Sequence, residues 1–416
     1  MSVNSSQETS RHGAAQLVVL FAVLFGASQF HRSSGGVVAP ELAREFAASP
    51  TALGAIASAL FLSSAIAQIP IGLLLDRYGA RRTLPLLLVL AIAGSAWFAA
   101  SQSVSELVAA RVVIGVGYGG VMMSAFAVFA RWFPPDRFAT VSGLMLALGG
   151  VGGLLGTTPL AGLVAVVGWR STFYGVAGIT AVLALIALAL VRDAPPGYQS
   201  KAKPPGSLAE NLIGLWQVIT LPRFRYILAM GVVAFAPSMA ILGLWGGPYL
   251  RDTFDLGTVA RGNVLLAMAV ATLVGTLTFG PLDRVFRTRK YIVLAASAVI
   301  LLSLGLLGLV SRPPLWLVAT LFTVIAFCQP SFIVLAAHCR ATFPDHLIGR
   351  AATSLNLVSI LGVAFMQWLF SLIVGVFAPG GAAAPELAYR IGFAAMAICV
   401  LLAALAYTRS TDVRPG

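Results

Sequence analysis

Arg32 and Arg111 each lie inside a long apolar run, where an ionisable side chain is costly and points to function. Arg32 follows His31, and both arginines fall about five or six residues inside the same membrane face, roughly 8 to 9 Å down at 1.5 Å per residue. No Asp or Glu falls at comparable depth. Glu41, Glu45, Glu106, Asp252, Asp255 and Glu386 sit at or beyond the outer ends of the runs, and the other eight carboxylates lie on the inner side. A buried cation without a buried carboxylate needs an anion from elsewhere. The pair therefore reads as holding an anionic group of a solute, because a guanidinium offers a planar two-point contact to a carboxylate or oxyanion. The competing reading has Arg111 capping carbonyls or reaching Glu106, while Arg32 snorkels towards Glu41 or Glu45. His31 is a candidate proton carrier, being the group in that region that titrates nearest neutrality; the alternative is a hydrogen-bonded neutral ring. Tyr118 and Asn356, polar residues on apolar segments, join the candidate solute site, although each would equally bond helix to helix.

The segments that carry these residues are set by composition. Of 416 residues, 59% are hydrophobic and 10% charged, with a mean hydropathy of +0.92, against roughly 25% charged in a soluble domain. A crossing needs about 20 apolar residues. Six runs meet that length over 14–191, a Pro, Gly and Lys-rich linker occupies 192–222, and six more runs follow over 223–408. The predicted fold is an all-α polytopic membrane protein of twelve helices in two six-helix bundles, flanked by a cytoplasmic N-terminus (1–13) and C-terminus (409–416). With the N-terminus inside, 19 of the 27 Lys and Arg residues fall on cytoplasmic segments and six outside, which places both termini inside. That bias accounts for the formal charge of +13 without nucleic acid as a partner. Cys328, Cys339 and Cys399 show neither CxxC nor metal-ligand spacing. No cofactor or metal is expected, and no cleavable signal peptide is visible.

The two halves repeat. Leu75-Asp76-Arg77 follows the second run with Arg82 six residues after the Asp, and Leu282-Asp283-Arg284 follows the eighth with Arg289 at the same distance, an offset of 207 residues. Parallel repeats of this kind place a solute between the bundles near the midplane. The stretch from Gly72 through Asp76, Arg77 and Gly79 to Arg81 and Arg82 resembles the GxLxDRxGxRR loop of the major facilitator superfamily, and Arg111 with Gly115 and Gly117 resembles its fourth-helix RxxxGxG motif. In the second half Phe279 and Phe286 replace the glycines, so only Asp283, Arg284 and Arg289 carry over. The resemblance implies that Asp76, Arg77, Gly79 and Arg82, with Asp283 and Arg284, latch the bundles in an outward-open state. Without the resemblance, the loop is a turn with positive-inside anchors. The Phe30 to Gly35 stretch, together with the seventh-helix ending Trp245 to Leu250, is similar to a bacterial branch beside the nitrate/nitrite porters, although this chain lacks the paired arginines of true nitrate porters on helices two and eight.

Gly149, Gly150, Gly152, Gly153 and Gly156 on the fifth helix suit close packing, and Thr158-Pro159 departs from the superfamily's antiporter pattern. Gly246, Gly247 and Pro248 would let the seventh helix bend as a gate, with Trp245 and Tyr249 as occluding or interfacial aromatics. The expected function is secondary transport of a small solute by alternating access, an organic anion first, with a possible coupling proton or ion. The protein is expected to be a monomer in the bacterial inner membrane. Drug or metabolite efflux is the runner-up, and a non-transporting sensor or assembly factor is the reading of another class. No Ser/His/Asp set, metal cluster or phosphate loop supports an enzyme.

Overall fold

The computed structural model describes residues 2–195, 219–221, 224–343, 345–378 and 383–413. The linker expected at 192–222 lies largely outside them. The described residues form helices and connecting turns. In chain order the helices are α1 (Gly13–Phe46), α2 (Pro50–Tyr78), α3 (Ala80–Ala100), α4 (Val104–Trp132), α5 (Pro135–Leu155), α6 (Thr158–Leu190), α7 (Phe224–Phe254), α8 (Thr258–Phe286), α9 (Lys290–Leu309), α10 (Leu315–Thr342), α11 (Gly349–Phe377) and α12 (Glu386–Tyr407). The fifth crossing is α5 plus the first ten residues of α6, and Gly168, at φ 79°, turns the chain into the sixth. The outward faces are apolar: Val166, Leu277, Leu309 and Val376 are each at least 70% exposed, the pattern of a lipid-facing surface.

At the end opposite the termini, here the distal end, serines cap α2 and α4. Ser49 accepts from the Ala52 amide ahead of α2. Ser103 accepts from the Glu106 amide, and the Glu106 carboxylate accepts from the Gln102 amide, a reciprocal cap on α4. At the terminal end a carboxylate just beyond the sixth helix of each half meets the start of the third. Asp193 accepts from the Arg81 amide. Asp412 accepts from the amides of Arg289 and Lys290 and from the Thr288 hydroxyl. Partial burial pushes the Asp412 carboxyl up, but these three donors outweigh it and hold the group below its ordinary value. A depressed carboxyl stabilises the fold above its unfolded pKa and loses that contribution as pH falls through the folded one. Asp412→Ala should therefore lower stability by about 1 kcal/mol, read as a lower Tm at neutral pH, with the gap to the parent narrowing on acidification.

The first half is bound together by α1 against α5 and α2 and α3 against α4. Gly149, Gly152 and Gly156 let α5 approach α1: a Cβ on Gly152 would lie 1.9 Å from the Gly26 carbonyl oxygen, and one on Gly156 would lie 2.1 Å from Ser33 Oγ. Gly150 and Gly153 face open space, so the close packing expected of this run falls on three of its five glycines. In the second half, Tyr249, Phe370, Tyr389, Phe393 and Phe322 form one buried aromatic cluster beside Trp245. Trp245 and Tyr249 are 1% and 0% exposed, so neither is an interfacial aromatic. The seventh helix is interrupted at Phe235, ahead of Pro237, and widens into a π-helical turn at Ile241–Trp245, ahead of Pro248. Such wide turns frequently mark functional positions.

Candidate functional site

The π turn lies where the halves meet. Gly35 and Gly36 of α1 touch α7 backbone to backbone: a Cβ on Gly35 would sit 2.1 Å from the Gly243 oxygen, and one on Gly247 would sit 1.6 Å from the Gly36 oxygen. Only residues without side chains permit that approach. α2 meets α11 in the same region, with Gly54 against Ser371 and Gly375 against Thr51. Among the described residues, the hydrogen bonds and the ion pair between the halves run from Gln68–Asn356 in the middle (3.2 Å) to Glu41, Pro40 and Thr158 at the distal end. None of them lies at the terminal end. The halves are thus bonded to each other distally, and no bond between described residues joins them near the termini.

Just below the glycine contact lies a narrow cavity of about 20 Å³, lined by His31, Arg32, Arg111, Phe61, Gly243 and Leu244 among others. That volume is enough for one water and not for a carboxylate solute, so admitting a ligand requires the halves to move apart. The cavity brings Arg32 and Arg111 together, on α1 and α4. α1 continues through Pro40 to Phe46 rather than ending near residue 38, so Arg32 lies about 21 Å along the helix from its distal end. The arginine is deeper than the sequence places it.

The two cations differ in their surroundings. Arg111 is 3% exposed. It donates from Nη1 to the His31 carbonyl (3.1 Å) and lies over Phe98 at 4.3 Å from the ring centroid, with Phe173 at 5.8 Å. Its Nε is buried without a partner. Arg32 lies 5.7 Å from the Phe61 ring centroid and makes no hydrogen bond or ion pair with any described residue. The nearby carboxylates are already committed. Glu106 caps α4, Glu41 pairs with Arg44 and Arg261, and Glu45 takes Arg170 and the Trp169 indole. Arg111 thus caps a carbonyl across helices and does not reach Glu106, and Arg32 reaches neither Glu41 nor Glu45.

His31 packs against Tyr118, ring centroids 5.1 Å apart, and its Nε2 is 3.2 Å from Ser95 Oγ. With Ser95 donating to the Ala91 carbonyl (2.7 Å), the hydrogen-bond network assigns the imidazole proton to Nε2. Nδ1 is left buried and without a partner. Tyr118 is bonded to Thr180 Oγ1 (2.9 Å) and stands behind His31 rather than on the cavity wall. Asn356 is also off that wall and joins the halves through Gln68. Ser95 and Phe98, which support His31 and Arg111, were not singled out from the sequence, where a lone Ser or Phe on an apolar helix carries no signal.

In the DR loop, Gly79 adopts φ 74°, and a Cβ there would lie 2.4 Å from the Asp193 carboxylate, two independent reasons for glycine. In the second half the corresponding turn is made by Arg287 at φ 51°, one residue after Phe286. Asp76, Arg77 and Arg82 are exposed. Asp76 and Arg82 have no partner among the described residues, and Arg77 lies over the Tyr78 ring. Asp283 is buried and paired with Arg289 at 3.2 Å, while Arg284 is exposed. The DR loops of the two halves are therefore in different states.

Comparisons with known proteins agree with this architecture. Over 269 residues the chain is 27% identical to the nitrate/nitrite transporter NrtP of Picosynechococcus sp., covering 58% of this chain and 47% of that protein. Over 262 residues it is 28% identical to the hexuronate transporter of Bacillus subtilis, covering 62% and 60%. The chain thus spans about half the length of the first of these relatives. A crystal structure of a bacterial homologue of the human lysosomal transporter Spinster, inward-facing and unoccupied, superposes with a TM-score of 0.77 at 18% identity, over 95% of this chain and 96% of that one, and so shares its fold. Residues 20–366 match the sequence profile of the Major Facilitator Superfamily, and the chain belongs to that family.

Proposed function

We propose that this protein is a secondary transporter that carries a small anion across the bacterial inner membrane by alternating access, with Arg32 as the principal contact of the anion and Arg111 beside it. The observation that carries the proposal is the state of Arg32: a cation on the wall of the cavity where the halves meet, without a hydrogen-bond or ion-pair partner among the described residues, and with the neighbouring carboxylates engaged elsewhere. An unpaired charge of that kind is costly and is stabilised when a solute supplies the missing anion. The relatives' names point the same way, since nitrate, nitrite and hexuronates are all anions. Termini on the cytoplasmic side make the bonded distal end the outer gate, and the structure then corresponds to an inward-facing arrangement. A coupling proton would land on His31 Nδ1, the free acceptor one residue from Arg32.

Thermal unfolding of the purified protein in the presence of nitrate, tartrate and galacturonate tests the anion reading. A ligand at 100 times its Kd adds about 2.7 kcal/mol to stability, so at least one anion should raise the Tm by several degrees and the matching neutral sugar should not. Equal shifts with neutral and anionic ligands would reject the reading.

In the same scheme Asp76 is free because the halves are unbonded at its end, and it engages when that end closes. Asp76→Asn keeps the volume and removes the charge. Transport should fall while yield persists, and Asp283→Asn should matter less for transport because Asp283 is held by Arg289 within its own half. Full activity of Asp76→Asn in a transport assay would reduce the loop to a topological anchor.

A further inference from the structure

At the distal end the charges can be accounted for one by one. Arg170 pairs with Glu45 inside the first half. Arg251 pairs with Asp252 inside the second at 2.7 Å, and sends only a hydrogen bond across, from Nη1 to the Pro40 carbonyl (3.2 Å). Asp252 is further satisfied within its own half by the Tyr389 hydroxyl and the Ala384 amide. Glu106 caps α4, Glu386 accepts from the Arg312 amide and Arg390 donates to the Gly308 and Leu309 carbonyls, each inside one half, while the Asp255 and Arg312 side chains make no bond to a described residue; Glu41 of α1 and Arg261 of α8 instead meet across the halves. Arg261 Nη2 lies 3.5 Å from Glu41 Oε1 and donates to Thr258 Oγ1 (3.0 Å), which itself donates to the same Glu41 oxygen (3.3 Å). Arg261 Nε is buried with no partner, so Glu41 is the only carboxylate on this guanidinium among the described residues. Side-chain exposures are 4% for Arg261 and 16% for Glu41, against 82% for Arg44, the second partner of Glu41.

We infer that Glu41, with Arg261 and Thr258, is the clasp that holds the distal end shut, and that its making and breaking sets the balance between the closed and open distal states. The inference goes beyond the anion reading and holds whatever the solute is. Glu41–Arg261 is the one ion pair between the halves among the described residues, and it is largely removed from water, so its charges are not screened as those of an exposed pair are. When the halves part, Glu41 keeps Arg44 and meets water, whereas Arg261 loses its carboxylate and is hydrated instead. Removing Glu41 leaves Arg261 buried without a carboxylate only in the closed state, and removing Arg261 takes away an attraction to Glu41 that only the closed state has, so either change shifts the equilibrium towards the open one. The neighbouring Thr158–Asn263 hydrogen bond (3.0 Å) between neutral groups cannot substitute for it.

The test is a distance distribution between spin labels on the two halves at the distal end, at Ser105→Cys and Ser311→Cys, with Cys328, Cys339 and Cys399 replaced by Ala in the full-length purified protein. Glu41→Gln and Arg261→Gln should each raise the ratio of open to closed distal states by about tenfold or more, in line with truncation of a buried interfacial charge pair. Arg261→Lys should stay near the parent. Arg44→Gln should change the ratio by less than about twofold, because an exposed pair contributes little. Unchanged distributions in folded Glu41→Gln and Arg261→Gln, or an Arg44→Gln that opens the molecule as far as Arg261→Gln does, would overturn the inference.

Discussion

Arg32→Gln is expected to cut the anion-dependent rise in Tm by about half or more while leaving the ligand-free protein at least as stable as the parent. Hydrogen bonds to a charged group contribute about 1.5–3 kcal/mol, so affinity for the anion should fall by roughly 10- to 150-fold. The ligand-free fold should not suffer, because Arg32 makes no hydrogen bond or ion pair with the described residues that its removal could break. Arg32→Lys should not restore affinity, since an ammonium lacks the planar two-point contact. Arg111→Gln should behave differently. It removes a donor from the His31 carbonyl and a cation from over Phe98 and near Phe173, so folded yield should fall together with affinity. The double variant should be less than additively worse in affinity, because both side chains line one cavity. Titration calorimetry on the folded fractions measures these effects; undiminished affinity in Arg32→Gln would remove this residue from the site.

Gly247→Ala should produce the largest conformational effect of any single methyl group in the protein. Its Cβ would lie 1.6 Å from the Gly36 carbonyl oxygen, a backbone atom that cannot turn aside. The closed state must then push α1 from α7, at a cost on the order of 1–3 kcal/mol for overpacking, whereas the parted state gives the methyl room. The open distal population should rise and turnover should fall, because one half of the cycle becomes uphill. Gly150→Ala and Gly153→Ala are the matched controls, with nothing within 4 Å of either added methyl; spin-label distances and transport should both stay at the parent's values. If Gly247→Ala transports like the parent, the glycine contact is not part of the cycle.

The sequence makes some of this architecture plain and hides the rest, for identifiable reasons. Span length and the repeated Leu-Asp-Arg segments reveal twelve crossings and two parallel halves because both depend only on local composition and order. Two cations inside apolar runs of one bundle suggest a shared site, but the equal depth the sequence assigns them does not hold, because Arg32 lies about 21 Å along α1 from its distal end. The end of α1 is hidden because the polar residues from Pro40 onward leave the apolar run, whereas the helix continues through Pro40 to Phe46. The π turn at Ile241–Trp245 and the Gly36–Gly247 contact are properties of two helices packed together, and glycines at those positions look like any others in a Gly-rich chain. Asp193 and Asp412 lie just past the last helix of each half, where a lone Asp reads as a surface residue. Their role as caps depends on a third helix more than 100 residues earlier in the chain.

The most direct test of anion transport is uptake by proteoliposomes, with labelled nitrate, tartrate or galacturonate outside and the same unlabelled anion inside. The parent protein should exchange at least one of them well above protein-free vesicles, and Arg32→Gln, reconstituted at the same density, should fall to the protein-free rate. Exchange of neutral solutes but of none of the anions, or equal anion exchange by the parent and Arg32→Gln, would contradict the account.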